Sequence, residues 1–338
     1  MLEQLFIALT IPPTMHPDLP AHPCYLNGAY TPLNEAKVSV LDRGFIFGDG
    51  MYEVLPVYAG HAFRFEQHMV RLERSLREMR IPNPHTREAW HQIAMQLVAA
   101  QAVDTWTTSS FEAQNTPLKV PSDYFVYFQV TRGVALRDHP MPKGITPTVF
   151  GMCSVLKPAS AQQRAQGVAC VTADDFRWQK AHLKSTSLLG SVFARQISVD
   201  AEANETVMFR GDFLSEAAHS NVWVVKNNTV YGPPKDNLVL EGIRYGLIAE
   251  LCQACGIGFR LRPITREEVL TCDELLLSSA TKEVLPVTQL DSKPVGKGVP
   301  GPVYQKLYAA YQAAKASAAA QAAITAESAH ATQMSQAA

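Results

Sequence analysis

Ala181-His182-Leu183-Lys184-Ser185-Thr186-Ser187-Leu188-Leu189-Gly190 is the stretch on which the reading of this 338-residue chain turns. Upstream, 168–178 is rich in β-branched and aromatic residues and reads as extended; from Leu188 onward the pattern is helical. Lys184 therefore stands at a strand–helix junction, and its amine is expected to project from a strand end into a cleft. A lysine that attacks a carbonyl carbon must be neutral. It has to be partly desolvated and set beside other positive charge, because an unperturbed ammonium titrates near ~10.4. Taken alone, Lys184 reads more plainly as a solvated surface charge. Its surroundings decide.

Further along, Phe213-Leu214-Ser215-Glu216-Ala217-Ala218-His219-Ser220-Asn221 leads into Val222-Trp223-Val224-Val225, which reads as a buried strand. A carboxylate wedged among small residues beside such a strand is costly unless a cation pairs with it. The protonated ring nitrogen of pyridoxal phosphate would be such a cation, and a carboxylate opposite it keeps the ring an electron sink. The other reading of Glu216 is a turn residue that caps neighbouring N–H groups.

Four more segments carry the same kind of signal: Leu41-Asp42-Arg43-Gly44-Phe45-Ile46-Phe47-Gly48-Asp49-Gly50-Met51-Tyr52-Glu53, Gln67-His68-Met69-Val70-Arg71-Leu72, Glu241-Gly242-Ile243, and Ser278-Ser279-Ala280-Thr281-Lys282-Glu283. With the Lys184 and Glu216 segments, in this order and at these separations, they resemble the fold-type IV pyridoxal-phosphate enzymes. That group holds D-amino-acid aminotransferases, branched-chain aminotransferases and aminodeoxychorismate lyases, and the resemblance runs from about Tyr25 to about Tyr311. It implies an α/β (α+β) chain of two mixed domains, with pyridoxal 5′-phosphate in the cleft between them. It makes Lys184 the Schiff-base residue and proton carrier, Glu216 the partner of the pyridine nitrogen, and Arg71, Gly242, Ile243 and Ser279 the phosphate site. Relatives in the group usually have Thr-Arg after this Gly-Ile. Here Arg244-Tyr245 follow, and Ala280 stands where a second hydroxyl is common. Arg244 either compensates for the lost hydroxyls or points to solvent; Arg71, without a phosphate, would be an exposed partner of Glu73 or Glu78.

Within the group, Val130-Thr131-Arg132-Gly133-Val134-Ala135-Leu136-Arg137-Asp138-His139-Pro140 is the discriminating segment. Arg137 and His139, together with Tyr52, resemble the carboxylate trap of D-amino-acid aminotransferases. A guanidinium matches a carboxylate bidentately, and an imidazole and a phenol add donors that fix its orientation. The resemblance implies that these three residues bind substrate, with Arg137 and His139 reaching the site of a neighbouring subunit in a homodimer. Otherwise 137–140 is a polar surface loop. The implied activity is transamination between a D-amino acid of the D-alanine type and a 2-oxo acid such as 2-oxoglutarate or pyruvate. The alternatives are a branched-chain L-amino-acid aminotransferase, an aminodeoxychorismate lyase, or, remotely, a non-catalytic binder of pyridoxal phosphate or amino acids. Retention of both Lys184 and Glu216 argues against a binder.

The length exceeds one average domain, and 47% hydrophobic residues can supply two cores. A net charge of −1 gives no electrostatic case for nucleic acid or an anionic membrane. No apolar run approaches the ~18 residues of a membrane span, and the N-terminus lacks the basic start of a signal peptide, so a cytoplasmic protein is expected. Six scattered cysteines, with Cys252 and Cys255 the only close pair, suit buried reduced thiols and no metal site. Residues 1–22, with four prolines, read as an extension; 23–153 as a small α/β domain; 154–160 as the linker; 161–314 as the larger, cofactor-binding domain. Strands are expected over 53–58, 62–65, 124–130, 148–153, 168–173, 206–209, 222–225, 229–231 and 274–278, and helices over 66–79, 86–102, 188–204, 243–254 and 302–314. The polar stretch 104–122 reads as a surface insertion, and the Ala/Gln-rich 315–338 as a frayed or disordered tail.

Overall fold

A computed structural model describes residues 20–102 and 123–336. The expected extension 1–22 lies almost wholly outside these residues, and the expected insertion 104–122 lies wholly outside them. In chain order the first unit contains β1 (Pro23–Leu26), β2 (Ala29–Pro32), α1 (Arg43–Phe47), β3 (Gly50–Tyr58), β4 (His61–Ala62), α2 (Phe65–Glu78), α3 (Arg87–Gln101), β5 (Tyr124–Thr131) and β6 (Thr148–Val155). The second contains α4 (Ala161–Gln166), β7 (Val168–Asp174), α5 (Leu189–Asp200), β8 (Glu205–Arg210), β9 (Phe213–Ala217), β10 (Asn221–Lys226), β11 (Thr229–Gly232), α6 (Arg244–Ala254), β12 (Gly258–Leu261), α7 (Arg266–Leu270), β13 (Glu274–Ser279), β14 (Glu283–Leu290), β15 (Lys293–Pro294) and α8 (Pro302–Gln336).

The first sheet has six antiparallel strands in the order β2-β1-β6-β5-β3-β4. α2 and α3 cover it through an apolar core that includes Met69, Leu72, Leu76, Trp90 and Leu97. On α2 the buried residues pair off as 68/69, 71/72 and 75/76, the spacing of one helical face. Arg71 lies on that face, so the fold carries a guanidinium inward. α3 starts where Thr86 accepts a hydrogen bond from the Ala89 amide. The second sheet is mixed, with nine strands: β12-β11-β10-β13-β14-β7-β8-β9, and β15 against β14. Its parallel pairs are β11/β12, β14/β7 and β7/β8.

A second apolar cluster joins the units, with Tyr58, Phe63 and Leu156 from the first packed with Trp223, Tyr245 and Tyr311 of the second. The junction is tightened beside Lys184. Met51 of β3 bridges Ser185, the Tyr52 amide donates to the Lys184 carbonyl at 2.9 Å, and the Thr186 amide donates to the Gly50 carbonyl at 2.9 Å. Thr186 and Ser187 hydroxyls both donate to the Gly48 carbonyl, at 2.9 and 3.0 Å. Gly48 closes α1 at φ +65°, and a Cβ there would run into Ser187, so both its backbone sign and its contact call for glycine.

Several expectations need correction: β4 is only His61–Ala62, with Phe65 already in α2, and α5 ends at Asp200. The strand before Lys184 ends at Asp174, although the Asp175 amide still donates to the Phe209 carbonyl of β8, and 175–188 is turn-rich, with Arg177 in ion pairs to Asp175 and Glu216. β6 runs to Val155, into the stretch read as linker. From Lys315 to Gln336 the chain is helical and not frayed: α8 is one helix from Pro302 to Gln336. Its first turns are anchored by buried Val303, Tyr304, Leu307 and Tyr311, and once a helix is nucleated, alanine extends it at little cost.

Candidate active site

A cavity of about 1080 Å³ opens between the two sheets, and β3, α2, the 176–192 segment, β9, the start of α6 and the end of β13 all contribute to its wall. It is lined by Tyr52, Arg71, Lys184, Glu216, Gly242, Ile243, Arg244, Ser279 and Ala280 among others, so most of the residues singled out in the sequence meet in one place. Lys184 is half-buried, with Nζ 4.0 Å from the centre of the Tyr52 ring. Its backbone is fixed by the pairing with β3, which leaves the side chain as the movable part.

Glu216 sits inside β9, at 5% exposure, and is not a turn residue. Its cation is on the chain itself. Arg177 donates to Oε1 at 2.6 Å, while Asn221 Nδ2 and the Leu240 amide reach Oε2 at 3.3 Å each. Arg177 is in turn gripped by Asp175, through Nε at 2.9 Å and Nη2 at 2.8 Å. Burial nevertheless pushes the Glu216 carboxyl up to about 7, the guanidinium opposing it only in part. This carboxyl still gains from a second cation. The sequence reading missed Arg177. The available signal was the requirement that a buried carboxylate be paired, which was applied to a cofactor before the chain's own arginines.

Arg71, which also lines the cavity, is buried, so it is no exposed partner of Glu73 or Glu78. It forms a two-pronged pair with Glu53, Nε to Oε1 and Nη2 to Oε2 at 2.7 Å each, and Nη1 donates to the Glu241 carbonyl at 3.1 Å. His68 Nδ1 lies 2.9 Å from Glu53 Oε2. Burial works against the Glu53 anion, but Arg71 and His68 outweigh it and hold the carboxyl well below the usual range. Burial pushes His68 down to about 4, so its ring is neutral at neutral pH. Glu53 and His68 stand in the sequence motifs without an assigned role; their role here is to orient Arg71.

α6 begins at Arg244, directly after Gly242 and Ile243, and these three residues line the cavity with Arg71, which brings the positive end of the helix dipole to its wall; the Tyr245 amide is already taken by the Gly242 carbonyl at 2.9 Å. A Cβ on Gly242 would run into the Asn221 side chain, which itself holds Glu216 and the Leu240 carbonyl. Ser279 accepts from the Lys282 amide at 3.1 Å. Arg244 does not point to solvent. It is 1% exposed, between the rings of Phe63 at 5.4 Å and Tyr311 at 5.5 Å. One nitrogen donates to the Ala280 carbonyl at 3.2 Å, while Nε and Nη1 have no hydrogen-bond partner among the described residues. A buried guanidinium with two unused donors is costly and suits an anion arriving beside it.

Arg137 and His139 are exposed, and among the described residues neither lines this cavity. Their loop is held to α1 instead, with both side chains near the Phe47 ring. Five cysteines are buried and Cys255 is half-buried; none is paired in a disulfide. Among the described residues no group of His, Cys, Asp and Glu could hold a metal, and no helix is long and apolar enough to cross a membrane.

An amine, a carboxyl that gains from a cationic partner, and a helix N-terminus flanked by arginines fit a planar phosphorylated aldehyde with a protonatable ring nitrogen. The comparisons agree. The family described as amino-transferase class IV matches residues 50–290. D-alanine aminotransferase of Bacillus licheniformis is 34% identical over 287 residues, covering 85% of this chain and 94% of that protein. D-alanine aminotransferase of Staphylococcus haemolyticus is 32% identical over 283 residues, covering 84% and 94%. Among solved structures, a branched-chain amino acid aminotransferase of Escherichia coli superposes with a TM-score of 0.73 at 22% identity, covering 85% of this chain and 92% of that one. A branched-chain aminotransferase of the archaeon Thermoproteus uzoniensis, solved with norvaline, gives 0.70 at 21% identity, covering 86% and 93%. A further branched-chain amino acid aminotransferase, solved with pyridoxamine 5′-phosphate, gives 0.76 at 20% identity, covering 87% and 94%. These three likenesses speak for the fold, and the sequence matches speak for the family: the chain belongs to the class IV aminotransferases.

Proposed function

We propose that this enzyme transfers the amino group of D-amino acids of the D-alanine type to 2-oxo acids such as 2-oxoglutarate or pyruvate, with pyridoxal 5′-phosphate as cofactor. The observation that carries this reading is the meeting of Lys184 and Glu216 in one cavity, in a chain matched over nearly the whole length of relatives named D-alanine aminotransferase. The bound cofactor supplies an electrophilic carbon and an electron sink. Lys184 binds it and takes the proton from Cα of the substrate. Glu216, steadied by Arg177, Asn221 and Leu240, faces the ring nitrogen. Arg71, Ser279 and the amides at Gly242, Ile243 and Arg244 hold the phosphate, with the spare donors of Arg244 beside Ala280 replacing the absent hydroxyls.

Tyr52, Arg137 and His139 bind the substrate carboxylate in this reading, the latter two across the interface of a homodimer. Support comes from the exposure of Phe45, Leu189 and Val192, which line the cavity, of Phe193 on α5, and of Leu136 within the Arg137 loop. Exposed apolar side chains of this size call for a covering surface. A division within 154–160, past the end of β6 at Val155, and a cytoplasmic location belong to the same proposal. The test is a substrate panel. Purified holoenzyme should form D-glutamate from 2-oxoglutarate with D-alanine and be at least about a hundredfold slower with L-leucine, a discrimination of roughly 3 kcal/mol. Equal or better turnover of L-leucine would assign the chain to branched-chain chemistry.

A further inference from the structure

We propose that Arg43 is a positioning residue for the substrate carboxylate: from beneath, it holds the loop that carries Arg137 and His139, an inference that rests on reading this loop as the carboxylate trap. Arg43 opens α1 and is 4% exposed, yet it makes no contact with the cavity's lysine or its carboxyl. Its donors go elsewhere. Nε donates to Asp49 Oδ2 at 2.8 Å, Nη1 to the Asp138 carbonyl at 2.6 Å and Nη2 to the His139 carbonyl at 3.4 Å. One planar fork thus grips two successive peptide groups, those between and after the two trap side chains.

The grip is anchored at its other end. Asp49 also receives Arg132, through Nε at 2.7 Å and Nη2 at 3.0 Å, and Arg132 donates to the carbonyls of Met79 and Arg80 at the end of α2. Burial raises Asp49, but the two guanidiniums outweigh it and keep the carboxylate ionised. A line of charge-assisted bonds therefore runs from α2 through Arg132, Asp49 and Arg43 to the loop. Phe47 completes the support. Its ring centre is 4.7 Å from the Arg43 guanidinium carbon, 5.6 Å from that of Arg137 and 5.5 Å from the His139 ring, and it lines the cavity itself.

The loop needs such support, because after Val134, which bridges Asp42, residues 135–147 belong to no helix or strand. A trap on an unheld loop would have to be ordered by each incoming substrate, and that ordering weakens binding. Lysine cannot replace the fork: it is a compact point charge without the planar pair of donors that reaches two carbonyls at once.

The experiment uses holoenzyme with Arg43→Lys, which keeps a cation opposite Asp49, with Arg137→Ala, and with the double variant. Arg43→Lys should raise the KM for D-alanine roughly tenfold, the scale of one lost charge-assisted hydrogen bond. The kcat at saturation and the cofactor absorbance should change little. In the Arg137→Ala background the same change should add almost nothing, since the clamp it positions is gone. Phe47→Leu should show the same dependence on Arg137, which keeps the test open if Arg43→Lys folds poorly. An unchanged KM in Arg43→Lys, an effect of equal size in both backgrounds, or a fall in kcat without a rise in KM would make Arg43 a scaffold residue only. If Arg137→Ala alone leaves KM unchanged, the trap reading itself fails, and the role of Arg43 falls with it.

Discussion

Replacing Glu216 by glutamine in the cofactor-free protein should stabilise it, by an amount that grows with pH. Burial lifts this carboxyl to about 7 from an ordinary 4.5, and the Arg177 guanidinium at 2.6 Å offsets only part of that. Below its ordinary value the group is protonated in both the folded and the unfolded chain and exerts no pH-dependent cost. As pH rises through the interval up to about 7, the unfolded chain releases its proton while the folded chain must either keep it or bury a charge, so stability is lost progressively. At about 1.4 kcal/mol per pH unit the full loss is about 3–4 kcal/mol. Glutamine, which cannot ionise, escapes it. Urea unfolding of both cofactor-free proteins between about pH 5 and pH 8 should show the advantage of Glu216→Gln rising across the interval and levelling off above about pH 7. In the holoenzyme the trend should vanish, because a cationic ring nitrogen then stabilises the ionised carboxylate. A pH-independent difference, or one that shrinks as pH rises, would refute the argument that burial governs this carboxyl.

Arg71→Ala strands Glu53 in the core with His68 alone, so it should cost about 3–5 kcal/mol of stability at neutral pH and also loosen the cofactor, read by thermal unfolding and by retention on dialysis. That loss should shrink in acid, because Glu53, held low by Arg71, contributes only while ionised. Arg244→Met removes a buried guanidinium with two unused donors; it should stabilise the cofactor-free protein by about 1–3 kcal/mol and weaken cofactor retention, whereas unchanged retention would end its assignment to the phosphate site. Arg137→Ala protein, slow at low D-alanine because its KM is raised, and inactive Lys184→Ala protein should together gain activity at low D-alanine when their subunits exchange, since a mixed dimer has one whole site. No recovery despite verified exchange would place the trap within one chain or remove it from this loop.

The residues that were legible in the sequence are those whose local pattern and chemistry agree. Met69, Leu72 and Leu76 mark the inner face of α2, Thr86 marks the start of α3, and the Gly242-Ile243 turn marks the start of α6. What escaped depends on partners distant in the chain. Arg177 and Glu216 are 39 positions apart, and Arg71 and Glu53 are 18 apart; no periodicity links either pair. β14 carries Pro286 in its interior and β9 is short and broken by Ser215 and Glu216, so neither shows a strand's alternation, and pairing with β13 and β8 overrides the local signal. The alanine-rich end of α8 departs from expectation for the opposite reason: few large apolar residues suggest no structure, while helix propensity is enough to continue a helix already anchored.

The central claim is that Lys184 is the residue to which the cofactor is bound and through which the substrate proton moves. Borohydride reduction of the holoenzyme followed by peptide mapping tests it most directly. The account predicts a single pyridoxyl-labelled peptide carrying the label on Lys184, and no fixation in Lys184→Ala. A label on another lysine, such as Lys180, or fixation that survives Lys184→Ala would contradict it.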